Sequence, residues 1–414
     1  MEFDIAIIGA GPTGLSFALS LRQAIKDHDL NVVVIEKQSE AALANPAYDG
    51  REIALTHLSK ALLTDNGSWE RIQSDNISPL MAASVLNGNS EYPLHFEAPT
   101  PQSATQEQEP LGYLIANQNI RKAIFEEFKH SATDNITLMA GRTVASTRTS
   151  LDGGYLTLDN GDEIKAQLIV AADTRFSSSR NQMGIAAEYN DYGRSAVLCV
   201  VEHEQPNHHT ALECFLYGGT LAVLPLNGNS SSIVITVNSA EVPELLAKEP
   251  GEFCADIERK LNGKLGALKQ AGDRFHYPLV GVHARRFYTN RFALIGDAAV
   301  GMHPVTAHGF NLGLAGQDIL AKEISKAAAS NGKFWSEAVL QAYQRQHMPN
   351  TRVLYHGTNT VVGLFTNDTF PAKLARSAML RISNHLPPLK EAIRQKLMHK
   401  QAGPIFGLPA LPRF

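Results

Sequence analysis

Three glycines, Gly9, Gly11 and Gly14, stand in the spacing GxGxxG within IAIIGAGPTGLS, with Pro12 and Thr13 between the last two. Residues of this type at this spacing can hold a pyrophosphate. Gly9 permits a tight turn from strand to helix, Gly11 lets the backbone approach the phosphates, and Gly14 lets helix and strand pack closely. The helix that follows aims free N–H groups and the positive end of its dipole at the anion. Further on, Glu36 ends the apolar run VVVIEK and is followed by Lys37. A carboxylate there can accept bonds from both ribose hydroxyls of an adenosine and repels a 2′-phosphate. The bland alternative is a glycine turn and a surface glutamate. The strand before the motif, the helix after it and the acid beyond it weigh against that alternative.

A second stretch, GDAAVGMHPVTAHGFNLGLAGQD from Gly296 to Asp318, also carries chemistry-bearing residues. His303 and His308 are five apart, without an HExxH pattern or a cysteine partner, so a metal hydrolase is disfavoured and no metal is expected. No GxSxG occurs, which disfavours a serine hydrolase. Asp297 follows an apolar strand and precedes a long helix, a place from which it can bond a polyol chain. The ribityl of FAD is such a chain; the dinucleotide motif by itself does not separate NAD from FAD, and this second acidic turn favours FAD.

The elements that must position these residues read as an α/β chain. Phe3–Ile8 and Val32–Ile35 are short buried strands, joined by a helix over Thr13–Ala24 in a right-handed βαβ unit. Gln118–Lys129 has amphipathic helical spacing. Ile136–Leu168 alternates and is broken by turn residues at Asp152 and Asn160, the pattern of a β-meander, and Leu168–Ala172 fits a return to a parallel sheet. Residues 194–278 read as four antiparallel strands followed by helices near 242–261. Residues 310–365 read as mostly helical. The expected organisation is a Rossmann-like FAD-binding domain with an inserted β-meander (1–75, 111–185 and 279–345), an antiparallel-sheet substrate domain (76–110 and 186–278), and a C-terminal helical region (346–414).

Bulk properties narrow the class. Of the 414 residues, 44% are hydrophobic and 19% charged, as in globular proteins that stay in water. A formal net charge of −4 gives no electrostatic reason for nucleic-acid binding. The cysteines Cys199, Cys214 and Cys254 form no CxxC pair and read as small core residues in a reducing, cytoplasmic setting. The acidic N-terminus does not resemble a signal peptide, and no stretch approaches the roughly 18 uncharged apolar residues of a spanning helix.

The order GxGxxG…Glu36, then DGREIALTH, the QNIRKAI helix, VAADTRFSSSR and GDAA…HP…GFNLGL resembles the group A flavoprotein monooxygenases. Within that group the chain is most similar to the ubiquinone-biosynthesis hydroxylases, and among them to the demethoxyubiquinol type. DGREIALTH and FLYGGTLAVLPL are the specific pointers, and the resemblance covers residues 1 to about 365. It implies an FAD enzyme, with NADH or NADPH as electron donor and O₂ as co-substrate. Its flavin C4a-hydroperoxide hydroxylates a lipophilic aromatic or quinol ring. It further implies that Arg51 approaches the pyrophosphate or the isoalloxazine. Arg121, with Gln118 beside it, would reach the phosphate or ribityl region. Val144 would touch the adenine through its backbone, Asp173 would belong to the cofactor site, and Asp297 would bond the ribityl. Gly309, Phe310 and Asn311 would present N–H groups to the pyrimidine edge of the flavin, where a helix N-terminus stabilises negative charge. Asn311 is also a good helix cap, and that reading competes.

For the reaction itself, the resemblance places His303 and Pro304 near the reacting edge. Proline stiffens the turn. His303 either bonds a substrate phenol and shuttles its proton or is a satisfied structural histidine, and the second reading weighs more. Leu212, Phe215, Leu224 and Tyr217 would line the substrate wall. The chain departs from the family at Asp173-Thr174, where Asp-Gly is usual. A β-branched residue disfavours positive φ, so the electron donor is in question there. It departs again at Val300 and at Ala307-His308-Gly309. The tail from Lys390 to Phe414 mixes basic and apolar residues. A solvated helix packed on the body weighs above a membrane-surface contact there, and contact with a quinone-biosynthesis complex is a further option. An FAD reductase or dehydrogenase without oxygenation, or a flavin-binding accessory protein, remains the alternative activity.

Overall fold

The computed structural model describes residues 1–87, 93–101, 108–131, 133–216, 219–303, 308–330, 332–366 and the separate positions 394 and 398. Ile5, Ile7 and Val32–Val34 are wholly buried. Strands of β-branched residues with no polar face suit the centre of a parallel sheet covered on both sides. The first sheet runs in the order Tyr288–Thr289, Phe292–Leu294, Glu163–Ala171, Glu2–Ile8, Val32–Glu36, Ile136–Ala140. All neighbours in that order are parallel except the first pair. The glycine motif leads out of the central strand Glu2–Ile8 into the helix Pro12–Ser20. The expected helix over 13–24 is broken at Leu21, after which Arg22–His28 forms a second helix.

One sequence expectation is corrected here. Ile136–Ala140 is not part of the meander; it pairs in parallel with Val32–Glu36. The antiparallel unit is Val144–Thr149, Gly154–Leu158 and Glu163–Ala171. Glu163–Ala171 is long enough to serve twice. Residues 163–166 pair back with Gly154–Leu158, and 169–171 pair with Phe292–Leu294. The meander therefore feeds directly into the parallel sheet.

The second sheet has nine strands, the four expected over 194–278 among them. Thr210–Leu216, Gly219–Pro225 and Ser230–Asn238 form its meander, with the 17-residue strand Ala187–His203 beside them. The hairpin Ala82–Asn87 and Leu94–Glu97 adds to one side, parallel to Thr210–Leu216. Phe275–Ala284 pairs on the other side and crosses position 278. Register fixes the two faces. Leu212, Cys214, Leu221 and Val223 pack against Phe253, Ile257 and Leu261 of the helical layer behind the sheet. Leu198, Val234, Phe275 and Tyr277 pack together on the opposite face. Phe215 and Leu224 share that second face, because strand alternation sets them opposite Leu212. Leu212 thus leaves the expected substrate wall.

Candidate flavin and substrate site

Gly9 has φ +104°, and a Cβ built there would lie 2.6 Å from the carbonyl oxygen of Ala172. A Cβ at Gly14 would lie 2.0 Å from the carbonyl oxygen of Gly9. Both glycines are required by the chain itself. Gly11 is different. Its φ of −69° suits any residue, and a Cβ there meets nothing within 4 Å. The open space there leaves room for a pyrophosphate to approach the backbone. Pro12, at the start of the helix, gives up an N–H that has no intrahelical partner. Glu36 braces this turn. One carboxylate oxygen accepts from the Ala10 N–H at 2.8 Å and the other from the Gln38 N–H at 2.9 Å. Each oxygen keeps a lone pair for a ribose hydroxyl. Lys37 beside it is exposed. Arg121 donates to Gln38 Oε1 at 3.0 Å, so it stands at the Glu36 end of the cradle, with Gln118 half-buried one turn before it. Val144 opens its strand and packs on the main core.

The second part of the cradle meets the first at Thr13. A Cβ on Gly296 would lie 2.9 Å from Thr13 Oγ1, and one on Gly313 would lie 3.0 Å from it. The glycine-motif helix, the Gly296-Asp297 turn and the helix His308–Ala329 therefore converge on one point. Asp297 Oδ2 accepts from Arg175 Nη2 at 3.0 Å and Nε at 3.3 Å, while Arg175 Nη1 donates to the Val280 carbonyl at 2.9 Å. The wholly buried Arg180 donates to the Ala298 carbonyl at 2.7 Å. Sequence reasoning singled out neither arginine, and their spacing carries no signal. Asp173 Oδ2 accepts from Ser177 Oγ at 2.9 Å, but its Oδ1 is buried with no hydrogen-bond partner among the described residues. Such an orphaned acceptor fits a donor brought by a ligand. Thr174 is not among the positive-φ residues, so its β-branch is accommodated without the strain anticipated from the sequence.

Arg51 joins this cradle to the second sheet. It holds Asp49 Oδ2 through Nη2 at 2.6 Å and Nε at 3.0 Å, and its guanidinium lies 5.4 Å from the Tyr277 ring centre. Asn117 Nδ2 donates to the same carboxylate oxygen at 2.7 Å, and the Tyr277 hydroxyl donates to the Asp49 carbonyl at 2.7 Å. At the other end, a Cβ on Gly309 would meet nothing within 4 Å, and Phe310 packs on the core. The Asn311 side chain turns inward. Its Oδ1 accepts from the Thr56 N–H at 3.0 Å and Ser59 Oγ at 2.6 Å, and its Nδ2 donates to the Ala54 carbonyl at 2.8 Å. These bonds anchor the helix His308–Ala329.

His303 is 4% exposed and stands edge-on to the Tyr192 ring, with centroids 4.7 Å apart. Burial, with the charge of Arg194 second, pushes its pKa down to about 4, so the ring is neutral at pH 7. Phe215 is buried with Leu94, Phe96, Leu111 and Met398, a packed cluster rather than an open wall. Leu224 is half-buried on the same face. Pro304 and Tyr217 lie outside the described residues.

Comparison with known proteins bears on this cradle. The sequence profile of the family described as "FAD binding domain" matches residues 2–354. The chain is 45% identical over 397 residues to the ubiquinone hydroxylase UbiM of Neisseria meningitidis, covering 96% of this chain and 85% of that protein. The chain belongs to the FAD-dependent ubiquinone hydroxylase family. This hydroxylase is also 34% identical to UbiL of Rhodospirillum rubrum, across 95% of this chain and 89% of that one. Its fold matches the crystal structure of p-nitrophenol 4-monooxygenase PnpA from Pseudomonas putida, with a TM-score of 0.74 at 18% identity, covering 96% of this chain and 98% of that one. The hydroxylase is therefore an enzyme and a flavoprotein with an FAD-binding Rossmann-like fold. No helix among the described residues is long and apolar enough to cross a membrane.

Proposed function

We propose that this FAD monooxygenase hydroxylates the aromatic ring of a lipophilic ubiquinone precursor, with NADH or NADPH as electron donor and O₂ as co-substrate. The observation that carries this reading is the Arg51–Asp49–Tyr277 junction, which sets an apolar sheet face against the dinucleotide cradle. That face presents Leu198, Val234, Phe275, Tyr277 and Leu279, a surface suited to a hydrophobic ring.

Bound FAD supplies the activation of O₂ that no side chain can perform. The chain's own residues do the rest. Gly11 and the helix behind it would receive the pyrophosphate, and Glu36 would receive the ribose. Asp297, with Arg175 bonded to it, would hold the ribityl, and the backbone of Gly309–Asn311 would serve the pyrimidine edge of the flavin. The apolar sheet face holds the substrate ring and keeps water away from the reacting edge. Neutral His303 packs the loop against Tyr192, which supports its structural reading. A lipophilic ring also suits peripheral contact with a membrane or a quinone-biosynthesis complex, for which the segment 390–414 is the candidate. Vesicle co-sedimentation of the full chain and of one ending at Pro388 tests that contact, and equal binding ends it.

The activity is tested by mixing purified holoenzyme with NADH or NADPH in air, with and without a prenylated phenol. The phenol is expected to stimulate oxidation of the nicotinamide and to be recovered as a hydroxylated product. Nicotinamide oxidation without such a product would establish the reductase alternative instead.

A further inference from the structure

Glu213 sits in an unusual place for a carboxylate. It lies on the strand Thr210–Leu216, one residue from Leu212 and Cys214, which face the helical layer, and so it points to the opposite face. Register carries this face across five strands. Glu213 pairs with Ala222, Ala222 with Val234, Val234 with Leu198, and Leu198 with Phe275. The adjacent row runs Phe215, Thr220, Thr236, Ala196, Tyr277. Glu213 therefore shares its face with Tyr277, four strands away, whose ring lies under Arg51 at the cradle, and it borders the Phe215 cluster through Val85. Its direct partners across the strands, Val85 and Ala222, are apolar, and Asn87 and Thr220 flank it on the same face; Thr220 hydrogen-bonds to it. Its Oε1 is closed from solvent and has no hydrogen-bond partner among the described residues.

We propose that Glu213 is the proton acceptor for the phenolic hydroxyl of the substrate ring, a role that rests on the hydroxylase reading above. The substrate O–H bond breaks, its electron pair stays on the phenol oxygen, and the proton passes to Oε1 of Glu213. The phenolate so formed pushes electron density into the ring at the carbons ortho and para to it, where an electrophilic oxygen is received. The Thr220 hydroxyl bonds to the carboxylate, while Oε1 has no partner among the described residues. The same pair selects substrate, since a ring without a hydroxyl leaves Oε1 unpartnered in an apolar wall.

The electrostatic setting agrees with the geometry. Burial raises the Glu213 carboxyl from the usual carboxylate range to about 7, and the Thr220 bond opposes that rise. The neighbouring elements contribute Val85, Thr220 and Ala222 at this position, none of them ionisable. Among the described residues, Glu213 adds to the rise of the neighbouring Cys214 thiol, which burial pushes up to about 11. A base near neutrality is matched to a phenol. Because the acceptor must be ionised, activity rises with pH through about 7 and is lost below it.

The test uses the FAD-loaded enzyme, NADH or NADPH, O₂ and 2-prenylphenol, across a pH series. Glu213→Gln is expected to lower kcat/KM by on the order of 10²-fold and to abolish the acidic limb near neutrality, with FAD content unchanged. Thr220→Val, which removes the bond that lowers the carboxyl's pKa, is expected to move the limb to higher pH. It decides the matter if Glu213→Gln does not hold FAD. A Glu213→Gln enzyme with wild-type kcat/KM overturns the proposal, as does one that is slower but keeps the limb. An unmoved limb in Thr220→Val overturns it equally. If the wild type hydroxylates the phenol at no pH, the hydroxylase reading fails first, and that outcome is distinct from all the others.

Discussion

Gly9 and Gly11 are two residues apart and are constrained by different partners. At Gly9, alanine must adopt φ +104° and meet a carbonyl oxygen at 2.6 Å. Gly9→Ala is expected to cost about 2 kcal/mol or more of stability, seen as a lowered Tm of the FAD-free protein. At Gly11, alanine meets no atom of the described residues within 4 Å. Gly11→Ala is expected to leave that Tm nearly unchanged and to lower FAD affinity. If both substitutions act on Tm alike and FAD affinity is untouched, the phosphate role of Gly11 is lost. His303 makes a separate case. Its pKa of about 4 means that it does not titrate between pH 5 and 8. His303→Asn should therefore leave every inflection of the activity profile in that range where it was. A limb that disappears in this variant contradicts the structural reading.

At the scale of elements, the helix His308–Ala329 is held by one buried amide. Asn311 satisfies the Thr56 N–H, the Ser59 hydroxyl and the Ala54 carbonyl together. Asn311→Ala is expected to lower unfolding stability by about 2–4 kcal/mol, because buried polar groups are left without partners. Urea unfolding measures this, and a loss under about 0.5 kcal/mol would falsify the anchoring role. The sequence made the glycine motif and Glu36 legible because strand, turn and helix there are contiguous. It did not reveal that Asn311 turns inward, since Thr56 and Ser59 lie some two hundred and fifty positions away. Arg175 and Asp297 are likewise joined only by folding. The second sheet was half legible. Its meander alternates visibly, whereas Leu268–Gln270 and Val300–Gly301 are too short to show a period. Leu212 was set on the wrong face because strand alternation places it opposite Phe215, a point that spacing along separate strands does not display.

Over the whole molecule, burial of ionisable groups makes stability depend on pH in two opposing ways. His283, His303 and His347 are each pushed down to about 4 by burial. The unfolded chain, with histidines near 6.5, binds protons more readily, so stability present above about 6.5 is lost as pH falls toward 4. Glu52 and Glu213, raised to about 7 chiefly by burial, act with the opposite sign; their contribution is present below about 4.5 and lost as pH rises through 7. Removing one histidine isolates its share. His347→Asn is expected to reduce the acid-side slope of unfolding stability by up to about 1.4 kcal/mol per pH unit, and an unchanged slope would show that this ring is not held neutral. The central claim joins all scales: the FAD cradle and the apolar sheet face across from it together put an oxygen atom on an aromatic ring. The most direct measurement is turnover of a prenylated phenol under isotopically labelled O₂, read by mass spectrometry. The account predicts one labelled oxygen atom in the hydroxylated product for each turnover. Oxidation of NADH or NADPH with no label in the ring would contradict it.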